Sequence, residues 1–211
     1  MNLVVKSGSE LSSKTLISEK LANLFIYFLI YSFIGWLAET IYMSIYHGHI
    51  VKRGFLIGPL CVVYGIGSIS VIYVLNRVKS HPFLLFIGAT IITSVVEFFA
   101  GVFLSLVSQK RLWDYSGNLF NLYGYICLRN SIMWGIISMF LIYIIHPNLI
   151  KFLCTIPVRI KEKIFYSTFI FLVLDVSVSI YSSLQGIDNI VWISQIFFGW
   201  NPFNGMSQNC F

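Results

Sequence analysis

Acidic residues inside apolar runs are the residues of this chain that could do chemistry. Glu39 lies in the first apolar run, and the basic pair Lys52-Arg53 follows where that run ends. Glu97 lies in a later apolar run, and a second basic pair follows it at the same spacing. A carboxylate at mid-membrane costs about 2.5–3.5 kcal/mol on insertion scales, so such residues usually face a partner, a cavity or a pathway. The two acids therefore predict an inward-facing charged site.

Further charged residues supply the expected partners of this site. One of the two acids is expected to pair with Arg129, which lies within the fourth apolar run. Asp114, in a loop, is expected to pair with Arg53 or Arg111. Asp175 is a weaker candidate, which we expect to be protonated or bonded to a neighbouring helix. A salt-bridge network that only fixes helix register explains these residues as well as a functional site does.

Small and aromatic residues are expected to support the charged site. On the third apolar run, small residues recur every three or four positions around Glu97 and share one helical face, which lets helices approach closely. The supporting residues that we assign to the site are Trp36, Gly58, Pro59, Tyr64, Trp113, Tyr115 and Asn121.

Composition places these residues in an all-α polytopic membrane bundle. The chain has 211 residues, of which 57% are apolar and only 10% are charged, whereas about 25% of a soluble domain is charged. Its mean hydropathy is +0.83. The net charge of +6 needs no nucleic-acid partner, because basic residues in membrane proteins mainly set orientation. No zinc spacing, phosphate loop or catalytic triad occurs, so we expect no metal or cofactor and regard an enzyme as the weaker hypothesis.

The apolar runs predict about five membrane helices between two end segments. The helices are expected over residues 21–46, 55–76, 83–108, 123–146 and 164–184, with Pro59 in the first turns of the second. Residues 147–163 are expected to form a basic connector. Residues 1–20 are expected to be a loose polar arm and residues 185–211 a tail. In that tail, the apolar stretch 189–200 is too short to span and predicts an interfacial or re-entrant segment.

The two acid-and-basic patterns suggest a tandem repeat. They predict two helix hairpins, residues 21–76 and 83–146, repeated in parallel. At the same spacing, but shifted by one residue, Tyr64-Gly65 of the first hairpin corresponds to Tyr123-Gly124 of the second. Many transporters are built from such repeats and bind their substrate at the repeat interface. Chance is the alternative, since basic pairs commonly follow membrane helices.

The distribution of lysine and arginine predicts the orientation. Nine basic residues lie in the N-terminal arm and the even-numbered connections, and four lie in the opposite loops, namely Lys52, Arg53, Lys110 and Arg111. We therefore expect a cytoplasmic N-terminus, an extracytoplasmic C-terminus, and a charged site in the extracytoplasmic half of the membrane.

An ordered set of motifs over residues 25–145 carries a family resemblance. The motifs are Gly35-Trp36-x-x-Glu39, Arg53-Gly54-Phe55-Leu56-x-Gly58-Pro59-x-Cys61, Tyr64-Gly65-x-Gly67, Glu97, Trp113-Asp114-Tyr115-Ser116, Asn121-x-x-Gly124-Tyr125-Ile126-Cys127-Leu128 and Trp134-Gly135. In these motifs the chain resembles the ABC-transporter type IV (CmpB-like) membrane proteins, which are often labelled ABC transporter permeases. The resemblance implies a transport component in the lipid bilayer of the cell membrane. Because this chain has no phosphate loop, it also implies a separate ATP-binding subunit.

Three alternatives to an ABC permease stay open from the residues. A stand-alone ion-coupled carrier or channel would use Glu39 and Glu97 as titrating groups, and a homo-oligomer without a partner subunit would favour it. A membrane-embedded enzyme would use Asp114, Glu97 or a loop histidine as a general base. A non-catalytic membrane scaffold would need none of these residues to react.

Overall fold

The computed structural model describes residues 2–185, with side chains from Glu19 onward, as a bundle of helices. The helices are α1 (Asn2–His47), α2 (Val62–Leu75), α3 (Pro82–Ser108), α4 (Leu128–Phe140), α5 (His146–Cys154) and α6 (Val158–Leu184). A 3₁₀ turn, Asn76–Val78, follows α2, and a π-helical turn, Leu141–Ile145, joins α4 to α5. Two short strands, β1 (Asn121–Leu122) and β2 (Ile126–Cys127), pair antiparallel in the loop before α4.

Four helical segments in the described residues are long and apolar enough to cross a membrane. They are Glu19–His47, Pro82–Ser108, Leu128–Cys154 and Val158–Leu184, and a shorter apolar segment covers Val62–Val78. The third of them contains α4, the π turn and α5 as one continuous helix. The all-α membrane bundle expected from composition is confirmed.

The second membrane helix was predicted over residues 55–76, and its predicted beginning is wrong. Helix α2 begins only at Val62, and the residues before it are not helical, so Pro59 does not lie in a first turn. Gly54 turns the chain at a φ of 90°, and the amide N–H groups of Ile57 and Gly58 bind the Asp175 side chain instead of helix carbonyls. The 14 residues of α2 rise about 21 Å, which is less than the roughly 30 Å of a bilayer core.

Other helix boundaries also differ from the predicted ones. Helix α1 begins at Asn2, so the first twenty residues continue the helix and are not a loose arm. The fourth membrane helix continues past Pro147 to Cys154, because the π turn and the start of α5 accommodate a residue without an N–H group. The expected basic connector therefore shrinks to residues 155–157. The predicted segment 189–200 lies outside the described residues.

The first four helices pack as two antiparallel hairpins. In the first, Gly65 of α2 lies against Phe28 and Ser32 of α1. In the second, Gly135 of α4 lies against Phe86 and Thr90 of α3. Phe86 lies as far along the chain from Phe28, and Thr90 from Ser32, as Glu97 lies from Glu39.

This packing changes one detail of the expected repeat. Gly135, not Gly124, has the position equivalent to Gly65, because Gly124 lies in a loop at a φ of 74°. The repeat itself stays a prediction. Its two hairpins meet along α2 and α3, where Val71, Leu75, Leu85, Ala89 and Ile142 form a buried apolar cluster.

Candidate functional site

An ion pair joins the end of α1 to the loop that follows it. The guanidinium of Arg53 donates to one oxygen of Glu39, from Nε at 2.9 Å and from a terminal nitrogen at 2.8 Å. The two side chains are 26% and 22% exposed. The thiol of Cys61 lies 3.9 Å from the other oxygen of Glu39. Arg53 thus neutralises Glu39, and the predicted pair between an acid and Arg129 is wrong for Glu39.

Glu97 is the buried acid of the site, with 4% of its surface exposed. Its Oε1 accepts a hydrogen bond from Tyr115 Oη at 3.3 Å and one from Asn130 Nδ2 at 3.5 Å, and the last two side chains also bond to each other. The Trp134 indole lies beside the carboxylate, yet Oε2 is buried without a hydrogen bond of normal geometry. The described cations do not pair with Glu97, so the predicted pair with Arg129 is wrong here too.

Both acids border one cavity, which we call the two-acid cavity, of about 140 Å³. It lies at the end of the bundle where α1 and α3 end and where α2 and α4 begin. The rings of Tyr64 and Trp134, 4.7 Å apart between centroids, form part of its wall. The full lining is Glu39, Arg53, Cys61, Val63, Tyr64, Glu97, Trp113, Tyr115, Asn130, Met133, Trp134 and Ile137. The cavity is therefore aromatic and apolar, with one neutralised acid and one free carboxylate oxygen.

The loop between α3 and α4, residues 109–127, folds over this cavity as a cap. Asp114 accepts hydrogen bonds from the amide and the hydroxyl of Ser116, the amide at 3.0 Å, and pairs with Arg111 at 3.3 Å. The hydrogen bonds from Ser116 hold the pKa of the exposed Asp114 below its usual value, with a smaller contribution from Arg111. Of the two predicted partners of Asp114, Arg111 is the one found.

Hydrogen bonds within the cap fix its shape. The Tyr115 amide donates to the Gly124 carbonyl at 2.9 Å, and the Asn121 side chain bonds to three backbone groups of the cap. Trp113 Nε1 donates to the carbonyl of Tyr125 at 2.9 Å. These bonds aim the Tyr115 hydroxyl at Glu97, so the Trp113-Asp114-Tyr115-Ser116 motif holds a hydrogen-bond donor over the cavity.

Asp175 of α6 holds the non-helical stretch before α2. Its two carboxylate oxygens accept the amides of Ile57 at 2.9 Å and Gly58 at 3.0 Å, and Ser179 bonds to both Ile57 and Asp175. The expectation that Asp175 bonds to a neighbouring helix is wrong in its partner, because the bonds go to the backbone of the loop before α2. Burial lowers the pKa of the nearby Lys52 amine, and the Asp175 charge partly offsets that shift.

The structure brings some of the predicted site residues together and separates others. Among the charged candidates, Glu39, Arg53 and Glu97 line the two-acid cavity, whereas Arg129 is exposed and Asp114 lies on the outside of the cap. Among the supporting residues, Tyr64, Trp113 and Tyr115 line the cavity and Asn121 stabilises the cap. Gly58 and Pro59 line a separate apolar groove beside Asp175, and Trp36 packs against Gly54 and Phe33.

Sequence reasoning did not assign Asn130, Met133 and Trp134 to the site. Asn130 follows Arg129 directly and lies in the first turn of α4, so a polar side chain at the start of an apolar helix was the available signal. Trp134 begins the Trp134-Gly135 motif, and the tight packing of that glycine on α3 turns the indole toward the cavity. In the described residues, no group of three or more metal-ligand side chains occurs.

A family model agrees with this architecture. The model described as "Putative ABC-transporter type IV" matches residues 26–180, a range that begins in α1, ends in α6 and includes every residue lining the two-acid cavity. No curated protein and no solved structure compared with the chain matches it. Because the match covers well over half of the 211 residues, this multi-pass membrane protein belongs to the ABC-transporter type IV family.

Proposed function

We propose that this chain is the membrane-embedded component of a transporter and that the two-acid cavity is its substrate site. The observation that carries the proposal is Glu97 Oε2, which is buried at the cavity without a hydrogen bond of normal geometry. An unsatisfied buried polar group costs about 1–3 kcal/mol, and more when charged. A ligand or a proton in the cavity would remove that cost, whereas a purely structural acid would carry it permanently.

The position of the cavity supports the same proposal. It lies between the two helix hairpins, and transporters built from repeats bind their substrates at such interfaces. The lysine and arginine distribution supports an orientation in which this end of the bundle lies in the extracytoplasmic half of the cell membrane. Cysteines introduced at Asn118, in the cap, and at Arg159, at the start of α6, both exposed positions, should therefore react with impermeant reagents from opposite sides. Reaction from the same side would overturn the orientation.

Two-sided access to the cavity is the test of transport. Met133 lines the cavity, so Met133→Cys is introduced into a chain whose four native cysteines are replaced by serine. Impermeant thiol reagents should label it in both right-side-out and inside-out vesicles, because a transport site opens to each side in turn. Leu85→Cys, fully buried away from the cavity, is the control and should stay unlabelled. Labelling of Met133→Cys from one side only, or from neither, would contradict the proposal and favour a scaffold.

A stand-alone carrier is the second candidate function. The observation that favours it is the short turn at residues 155–157, which replaces the longer connector expected as a docking element for an ATP-binding subunit. Purification in a mild detergent distinguishes the two candidates. A stoichiometric ATPase subunit that binds through this turn would support an ABC permease, and an active homo-oligomer without one would support the carrier.

A further inference from the structure

We propose that the ligand of the two-acid cavity is a small organic monocation that carries an ammonium group. This inference rests on the proposed function, since it names the chemical class that the same site would bind. Three properties of the cavity support it: the charge that remains after its residues pair internally, its aromatic wall and its volume.

The charge that remains free in the cavity is negative. Arg53 places two N–H groups on Glu39, so these two lining charges compensate each other. The donors of Tyr115 and Asn130 both converge on Oε1 of Glu97. The Trp134 indole also lies beside this carboxylate, but Oε2 keeps acceptor capacity, because it is buried without a hydrogen bond of normal geometry. An acceptor with negative charge selects a cation and disfavours an anion by like-charge repulsion.

The wall of the cavity favours an organic cation over a metal ion. Tyr64, Trp113 and Trp134 contribute aromatic rings, and the thioether of Met133 is a further soft, apolar group. Aromatic rings attract ammonium groups through their negative faces, and more strongly when the ion is desolvated. Mg²⁺ and Ca²⁺ instead require several oxygen ligands, and the described residues supply no cluster of three such side chains.

The volume limits the size of the ligand. The cavity has a volume of about 140 Å³, well below the roughly 300–1,000 Å³ of pockets for drug-sized ligands, so only a ligand or headgroup of a few non-hydrogen atoms fits inside it. Methylammonium and ethanolamine are within this limit, and the ammonium head of choline or of phosphatidylethanolamine fits if its remainder projects out of the cavity.

Binding is tested by calorimetric titration of the purified full chain in dodecyl maltoside, a detergent without an ammonium group. Methylammonium, ethanolamine and choline should bind saturably, and acetate should not. Glu97→Gln, which removes the charge and keeps the shape, should weaken binding by at least about tenfold. Glu162→Gln, the same chemical change at the opposite end of the bundle, is the matched control and should bind as the native chain does.

A replacement variant and a comparison of two ligands complete the binding test. If Glu97→Gln fails to fold, Trp134→Leu replaces it and should weaken choline binding about fivefold, the size expected for loss of one cation–π contact. Short-chain phosphatidylethanolamine is compared with free ethanolamine: tighter binding of the lipid assigns the ammonium to a lipid headgroup, and tighter binding of the free amine assigns it to a soluble compound.

The outcomes that overturn the inference are distinct from those that overturn transport. Tighter binding of glycine than of methylammonium would identify a zwitterion as the ligand class. Absence of saturable ammonium binding, or equal affinity in the native chain, Glu97→Gln and Trp134→Leu, would remove the cation altogether. Either result, combined with two-sided labelling of Met133→Cys, would refute the ligand class and leave the transport proposal standing.

Discussion

The ion pair between Glu39 and Arg53 gives the sharpest quantitative prediction. Three variants test it: Glu39→Gln, Arg53→Gln and the double variant, which together form a double-mutant cycle. The cycle isolates the energy of interaction between the two side chains, because effects of each substitution on the rest of the bundle cancel. A second cycle combines Glu39→Gln with Arg129→Gln, the pairing that sequence patterns had favoured.

The geometry sets the size of the expected coupling. Exposed pairs couple by about 0.2–1 kcal/mol, and breaking a fully buried pair costs about 3–5 kcal/mol. Glu39 and Arg53 lie between these limits, because they are 22% and 26% exposed and two N–H groups meet one oxygen. We therefore expect a coupling of about 1–2 kcal/mol. The cycle with Arg129, an exposed residue outside the cavity, should give less than about 0.3 kcal/mol.

The measurement is equilibrium unfolding in mixed micelles of dodecyl maltoside and dodecyl sulfate, followed by far-ultraviolet circular dichroism. Repeating it at high salt adds a second readout, because a partly exposed pair should weaken as ions screen it. A coupling below about 0.3 kcal/mol for Glu39 and Arg53, or an equal coupling for Glu39 and Arg129, would refute the proposed charge balance of the cavity.

Three further predictions concern packing, the Asp175 contact and the cap. Gly35→Ala should destabilise the bundle by about 1–3 kcal/mol, because its Cβ would overlap the Tyr64 ring. Its control, Gly67→Ala, meets no atom within 4 Å and should be neutral or stabilising in the same unfolding assay, so equal losses would contradict the packing. Asp175→Asn should cost about 1–3 kcal/mol, because the amide group offers only one acceptor to two backbone N–H groups; an unchanged unfolding midpoint would exclude that role. The pKa of Asp114 is lowered in the folded cap, so its carboxylate stabilises the cap fully above the unfolded pKa of about 3.9, and this stabilisation is lost only as the pH falls through the lower folded pKa. Hydrogen exchange of the cap amides should therefore stay slow at pH 4. Loss of protection already at pH 5 would contradict this expectation.

The sequence predicted the helices with the strongest apolar periodicity and failed where a distant side chain replaces helical hydrogen bonds. Residues 83–108 were predicted as a helix and α3 covers Pro82–Ser108, because a long apolar run has few other ways to satisfy its backbone in a membrane. Residues 55–61 have equally apolar side chains, yet Asp175 binds their backbone from more than a hundred residues away. No local pattern contains that information.

The candidate site, too, could be predicted from the sequence only in part. The sequence by itself determined that the chain is a membrane bundle and that Glu39 and Glu97 face inward, because a charge in an apolar run has to be compensated. Only the tertiary structure decided the partners: Arg53 bonds to Glu39, the cap places Tyr115 on Glu97, and Arg129 stays outside. The physical reason is that a hydrogen bond or a hydrogen-bonded ion pair needs a donor–acceptor distance of about 3 Å. The path of the loops therefore decides which of several plausible partners comes within that distance.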